Sequence, residues 1–451
     1  MNSSSSNILS RIFRIQPEDT IPVMTLGLLF FFNSLAQQVS EITAISNFLS
    51  EGGLNQILIV WAVGSLSIFF VTGLQSLIVD RYNRFTLTRG ILMFMAIVFI
   101  VLRLLFVFQS PGWLNYGILY LISDQQWLFL PLVFWTLSND IFDVAQATRV
   151  FPMIASGDFI GKLVGIAVSA AAPSLLSAIP GFKVEELLVF NALLYLTAYI
   201  IIGALLSKIK LRDTAAQHTD TLKETLSEGW GFIREVPAFR FLAISILLVI
   251  ICDTIVEFRF LAVSDTAFPD PLQYQTFYSL YRLGLTVISL LFQFFLTSRI
   301  ISRMELKNVF LIEPLTVLLS PLLMLINTGI WGGLIGILTL KIPQITIGDS
   351  VRKAFQSLVP EERRGRVSIF MDSYLFCAGT LVGCAITGFI LYLASLTALS
   401  SFLVYLGFAI IASAFSIWSI LRMRSVYEAS LLNWRLKRRQ RGKSVLDKLE
   451  F

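Results

Sequence analysis

Of the 451 residues, 56% are hydrophobic and only 14% charged, and the mean hydropathy is +0.76, a balance that excludes an ordinary soluble globular chain and points to the bilayer as solvent. The net charge of +6 sits in short loops and the C-terminal tail, which fits anionic lipid headgroups and argues against nucleic acid. A single histidine, His218, and three cysteines without paired spacing, Cys252, Cys377 and Cys384, argue against zinc sites, a disulfide framework and histidine-based catalysis.

Residues 1–20 are Ser-rich and polar, carry Arg11 and Arg14, and hold no short apolar region ending in a cleavage site, so they are read as a cytoplasmic N-terminal segment. A helix needs roughly 20 apolar residues to cross the hydrocarbon core. Stretches of that kind fall near 21–41, 54–78, 88–109, 113–137, 152–175 and 184–207, then near 238–262, 274–297, 309–327, 329–351, 368–395 and 399–421. The predicted fold is therefore all-α and integral to the membrane, with twelve transmembrane helices. Its expected parts are an N-terminal six-helix bundle (21–207), a polar linker (208–237), a C-terminal six-helix bundle (238–421) and a basic tail (422–451). In the linker, Leu222, Leu226, Trp230 and Ile233 recur at helical spacing and predict an amphipathic interfacial helix.

Lys and Arg in short loops are retained on the cytoplasmic side. Arg81, Arg84 and Arg89 follow span two; Arg299, Arg303 and Lys307 follow span eight; Arg352, Lys353, Arg363, Arg364 and Arg366 follow span ten. The alternate hairpins near 42–53, 263–273, 327–331 and 394–400 have no Lys or Arg, and that near 174–186 has only Lys183. Both termini are expected to be cytoplasmic, in a bacterial inner membrane or an equivalent energy-transducing membrane. The tail mixes Arg435, Lys437, Arg438, Arg439, Arg441 and Lys443 with Leu432, Trp434 and Leu436, which reads as a membrane-surface anchor or as a docking site for a protein partner.

An ionisable group at bilayer depth costs several kcal/mol unless paired or hydrated, so such groups face a cavity or a bundle interior. Span one carries Gln37, Gln38 and Glu41, and span four begins with Asp124, Gln125 and Gln126. Asp158 and Lys162 in span five lie four apart, on one helix face where they neutralise each other. Gly157, Gly161 and Lys162 do not have phosphate-loop spacing, and Leu163 stands where that loop needs a hydroxyl. Span seven holds Asp253, Glu257 and Arg259; the two carboxylates share a face and need a cation or a proton. Arg259, Arg282 in span eight and Lys341 in span ten are the candidate cations. Pro343 and Gln344 follow Lys341 and predict an interrupted helix, a setting suited to a substrate site. The charged set suits a solute cavity, with structural pairing as the other reading. Trp135, Tyr278 and Tyr281 are candidates to stack on a planar substrate or to pack as ordinary aromatics. Gly161 with Gly165, Gly332 with Gly336, and Gly379 with Gly383 have the spacing of close helix approach.

The run from Leu77 through Asp80 and Arg81 to Arg84 resembles the loop signature of the major facilitator superfamily, in which an Asp-Arg pair latches cytoplasmic helix ends. Three longer stretches resemble the ATP/ADP nucleotide translocase family and its bacterial relatives. These are Phe134 to Asp143 continuing through Arg149 and Pro152 to Gly157 and Gly161; Ile255 to Phe260 with Phe277, Tyr278 and Leu296 to Arg299; and Pro360 to Arg366 with Asp372. The resemblance implies a basic residue in span one, an acidic one before span five, an acidic one in span seven or eight and a basic one near span eleven. Glu257 fits the third position, and Arg364 or Arg366 the fourth. At the first stands the run Gln37 to Glu41, and at the second Gln146, although Arg149 is retained.

The expected function is secondary transport of an organic anion, of which phosphorylated and nucleotide-like solutes are examples, by alternating access. Lys162, Arg282 and Lys341 would supply cations, Gln37 and Gln38 polar contacts, and Glu257 and Asp253 would gate, pair or carry a proton. Asp80, Arg81, Arg84, Arg149, Arg364 and Arg366 would latch the cytoplasmic side. No cofactor, metal or enzymatic activity is expected, and lipid is the expected surrounding. The alternative is a non-transporting scaffold or assembly subunit of a larger complex.

Overall fold

The computed structural model describes residues 19–79, 83–142, 144–178, 183–207, 222–356, 359, 361–397 and 400–446. Its helices are α1 (Thr20–Gly52), α2 (Ile57–Val79), α3 (Arg84–Val107), α4 (Gly112–Ile141), α5 (Val144–Ala178), α6 (Glu186–Leu205), α7 (Leu222–Glu235), α8 (Pro237–Ala267), α9 (Pro271–Phe292), α10 (Ser298–Arg303), α11 (Leu306–Val309), α12 (Ile312–Ile326), α13 (Ile330–Pro343), α14 (Asp349–Gln356), α15 (Glu361–Ile369), α16 (Leu375–Leu396) and α17 (Ser401–Leu446). Five-residue π-helical turns at Gln293–Thr297, Gln344–Gly348 and Phe370–Tyr374 fuse α9 to α10, α13 to α14, and α15 to α16. The described residues thus supply 12 helical segments long and apolar enough to cross a membrane, as the hydropathy pattern predicts.

The interruption expected at Pro343 does not occur. Proline removes one backbone donor, the one that would serve the Thr339 carbonyl four residues earlier, yet the chain continues as helix, the turn that follows lengthening to the π form; within that turn the Thr346 hydroxyl donates to the Ile342 carbonyl at 2.7 Å. A helix that absorbs one residue this way stays continuous.

The chain divides into two compact units, Met1–Thr221 with Phe268–Gly284, and Leu222–Ala267 with Leu285–Phe451. Lipid tails are as apolar as leucine, so within each unit close packing and polar contacts, rather than burial alone, hold helices together. In the first unit α1 is the central helix, with 61% of its apolar window buried against 28% for α3 and for the span built on α5. α5 crosses α1 so closely that a Cβ at Gly157 or Gly161 would overlap the Gly27 or Phe31 carbonyl, and one at Gly165 would lie 2.7 Å from the Leu35 carbonyl oxygen. Asn191 of α6 donates to the Ala36 carbonyl at 3.2 Å and to Ser40 Oγ at 2.9 Å. Outward-facing Phe94, Ile97, Val107 and Phe108 of α3 and its C-cap supply the lipid-compatible surface.

In the second unit the same place is held by α8, 72% of whose window is buried. Ser245 and Ser416 share a hydrogen bond of 2.7 Å, Ser419 donates to the Phe241 carbonyl at 2.7 Å, and the Cys252 thiol reaches the Ala409 carbonyl at 3.3 Å, all joining α8 to α17. α7 lies in the stretch read as a linker; of the residues expected on its apolar face, Ile233 is buried while Trp230 is 60% exposed, and Gly229 lies against Phe370. His218 falls outside the described residues, as do the side chains of the basic tail beyond Glu428, although α17 runs to Leu446.

The α1–α5 crossing yields a direct test. Gly161→Ala should lower stability by about 1–3 kcal/mol through overpacking, whereas Gly284→Ala, where a Cβ meets nothing within 4 Å, should leave it unchanged or slightly raised. Thermal unfolding of the detergent-purified protein measures both, and equal responses would remove the close-approach explanation.

Candidate functional site

α1 places Phe30, Asn33, Ser34, Gln37, Gln38 and Glu41 over three turns, and in the first unit these residues meet the polar groups of α4, α5, α6 and the start of α9. Phe30, Asn33, Ser34 and Gln37 join Gln126, Trp127, Pro131 and Trp135 of α4 with Ala155, Asp158 and Lys162 of α5 around a cavity of about 150 Å³. Its aromatic wall is Trp135, whose ring lies 4.8 Å from Phe30 and 5.0 Å from Phe151. Its polar wall is a chain of bonds: Gln126 Nε2 donates to the Tyr195 hydroxyl at 2.7 Å, that hydroxyl donates to Asn33 Oδ1 at 2.8 Å, and Asn33 Nδ2 donates to the Gln126 carbonyl at 3.0 Å. Gln126 is fully buried, and among the described residues its Oε1 finds no hydrogen-bond donor. At the cavity's charged end Lys162 pairs with Asp158 at 2.7 Å, and the Ser34 hydroxyl donates to the same carboxylate.

One turn further along α1, Arg282 of α9 pairs with Glu41 at 2.8 Å and donates to Gln38 Oε1 at 3.2 Å, while Gln37 Nε2 donates to Glu41 at 2.9 Å. Gln275 of the same helix donates to the Ser169 carbonyl of α5 at 3.2 Å. Tyr274, Tyr278 and Tyr281 are buried; Tyr274 and Tyr278 stack at 6.0 Å, and the Tyr281 ring lies tilted 5.6 Å from Tyr278.

The second unit holds a separate cluster. Lys341 of α13 lies 2.8 Å from both Asp253 and Glu257 of α8, one ammonium between two carboxylates. Of the three cations named from the sequence for this acidic pair, Lys341 is the one that meets it. Arg259 donates to the Thr328 carbonyl at 2.7 Å and lies over the Phe402 ring at 4.5 Å, and Arg282 serves Glu41. At the end of the α13–α14 span, Arg352 lies 3.7 Å from Glu313 and 3.6 Å from Asp349, and Gln356 donates to Asp372 at 2.8 Å.

Asp80 and Arg81 lie outside the described residues. Arg84 forms an ion pair with Asp140, while Arg149 is exposed. Arg364 Nε donates to the Val359 carbonyl at 3.2 Å, and Arg366 pairs with Glu228 of α7. Gln146 donates to Asp19 at 3.3 Å.

Ser34, Asn33, Tyr195 and the Glu313–Arg352 pair were not singled out by sequence reasoning. A signal existed for two of them: Asn33 and Ser34 lie four residues before Gln37 and Gln38, on the same helix faces. Tyr195 sits in an otherwise apolar span, and only the fold shows that its hydroxyl bridges α1 and α4.

A family model for the TLC ATP/ADP transporter matches residues 102–330, just over half of the chain. ADP,ATP carrier protein 1 of Chlamydia trachomatis serovar D is 23% identical over 231 residues, covering 48% of this chain and 43% of that protein. ADP,ATP carrier protein 1 of Chlamydia muridarum is 23% identical over 233 residues with the same shares. The chain thus aligns with less than half the length of these curated relatives. Among solved structures, the nucleoside transporter NupG is similar at a TM-score of 0.63 and 14% identity, over 90% of this chain and 98% of that one. A bacterial homologue of the iron transporter ferroportin, inward-facing, gives 0.61 and 12% over 92% and 100%. The fold is of the major-facilitator type, and these proteins are carriers and transporters, not enzymes.

A double-mutant cycle probes the first unit's geometry. Arg282→Gln and Glu41→Gln should each destabilise, and together cost less than their sum by about 0.5–3 kcal/mol. Additive shifts in thermal unfolding would mean that the two side chains do not meet.

Proposed function

We propose that the chain, which belongs to the TLC ATP/ADP transporter family, is a secondary transporter of an organic, nucleotide-like anion that works by alternating access. The observation that carries this reading is the cavity of the first unit, where an aromatic wall, an amide network with a spare acceptor and an ion pair meet at bilayer depth. Trp135 and Phe30 offer faces for a planar ring. Gln126 Oε1 asks for a donor from the solute, and Lys162 can turn from Asp158 towards an anionic group.

The charge balance limits the solute. Lys162 and Arg282 are each already matched by one carboxylate, Asp158 and Glu41, and Gln37 and Gln38 stand where the resemblance implies a cation in span one. An entering anion must compete with these carboxylates, so a singly or doubly charged solute fits the site better than a polyphosphate. Competition also supplies gating: an anion that draws Arg282 away releases Glu41 and Gln38, loosening the contact between α1 and α9. Both termini would lie in the cytoplasm of a bacterial or equivalent energy-transducing membrane, with the basic tail on its lipid surface or a protein partner.

Purified protein in liposomes should take up labelled AMP saturably and exchange it by counterflow. Arg282→Gln and Trp135→Ala should each reduce the rate about tenfold, equivalent to ~1.4 kcal/mol. No saturable flux for any nucleotide, nucleoside or sugar phosphate, with the folded protein co-purifying at fixed stoichiometry with a partner, would favour the assembly-subunit reading instead.

A further inference from the structure

The cluster of the second unit contains an imbalance that the solute site does not explain. Asp253 and Glu257 lie one turn apart on α8, and both carboxylates are met by one ammonium, Lys341, at 2.8 Å each. Two carboxylates and one ammonium leave one negative charge in side chains that are 11%, 29% and 18% exposed. An uncompensated charge at such depth is costly.

Among the described residues, the surrounding elements do not supply the missing cation. On α8, Arg259 is held by Thr328 and Phe402, Arg240 lies over Phe241 near the opposite end, and Cys252 and Asp265 add no positive charge. From α12 comes Glu313, a further carboxylate whose field reaches Asp253, and it draws Arg352 of α14, which is shared with Asp349. α16 carries Cys377, Cys384 and Tyr392 as its titratable groups, and α17 carries Tyr405 beside Phe258 and, towards its far end, Arg422 and Arg424. On α7, Glu228 and Glu235 face Arg366 and Arg363 of α15. One proton on the carboxyl pair would balance the triad without any further side chain.

We propose that Asp253, Glu257 and Lys341 form a proton site and that transport is coupled to its loading and release. This rests on the reading of the chain as a transporter. With one proton on the carboxyl pair the triad is neutral, Lys341 keeps one carboxylate, and the other carboxyl becomes a neutral hydrogen-bond donor. When the proton leaves, Lys341 must be shared between two carboxylates. The π-helical turn that begins three residues after Lys341 is where α13 can shift as the ammonium passes from shared to single pairing.

The site can be tested without any solute. Infrared spectra of the full chain in proteoliposomes, taken over a pH series, should contain a carboxylic-acid C=O band that is lost on deprotonation. That band should be absent in Glu257→Gln and Asp253→Asn, because a single carboxylate is fully matched by Lys341, and should grow in Lys341→Met. Should the amide variants fail to fold, Glu257→Asp, which keeps the carboxyl but moves it, must shift the same band. A wild-type band indifferent to all of these substitutions would overturn the proposal. In a second arm, labelled AMP is added outside liposomes containing a pH dye. Proton movement accompanying wild-type uptake supports the coupling, and uptake without proton movement overturns it. Absence of AMP uptake with the infrared band intact would count against the transport reading and leave the proton site standing.

Discussion

A charge placed among hydrocarbon has to be answered by another charge, by hydrogen bonds or by water, and this requirement organises the protein. The ionic groups at depth are concentrated on the two most buried helices and what packs on them: Glu41 of α1 with Arg282, Asp158 and Lys162 of α5 beside α1, and Asp253 and Glu257 of α8 with Lys341. The more exposed spans, such as α3, present Phe94, Ile97 and Phe108 outwards. Polarity is therefore an interior property here, the reverse of a soluble protein.

Answering the charges demands close, well-registered helices. Gly157, Gly161 and Gly165 let α5 settle directly on the α1 backbone, and that approach brings Asp158 to Ser34 and closes the cavity against Trp135. In the second unit the π-helical turn after Pro343 keeps the span continuous while Lys341 reaches two side chains on α8. Glycine spacing and a helical irregularity thus serve the same end as the charges: they set which side chains can meet, and the meetings define where a solute or proton can act.

Much of this was legible in the residues, because bilayer crossing demands a length and an apolar run that few other constraints imitate. Pairs within one helix were legible too: Asp158 with Lys162 and the shared face of Asp253 and Glu257 follow from the helical repeat. Partners between helices were not. Arg282 was an equal candidate for the acidic pair of span seven, and the fold instead brings it to Glu41, 241 residues earlier. Glu313 gave a weak signal as a lone carboxylate in an apolar span, but its partner Arg352 was read as a loop charge. Pro343 misled because a missing donor predicts a break only where the helix cannot absorb it, and here the turn that follows widens to the π form and the helix runs on.

Replacing a buried ion cluster by apolar groups is often neutral or stabilising, whereas removing one partner strands a charge. If the Asp253–Glu257–Lys341 triad is kept for transport and not for folding, stability and coupling must respond differently to its removal. The most direct measurement compares thermal unfolding and solute flux of Lys341→Met with those of the triple variant Asp253→Leu, Glu257→Met, Lys341→Met. The single variant should lose about 3–5 kcal/mol, and the triple variant should recover most of that stability without recovering coupled transport. A triple variant less stable than the single one, or one that transports with its coupling intact, would contradict a transport role for the triad.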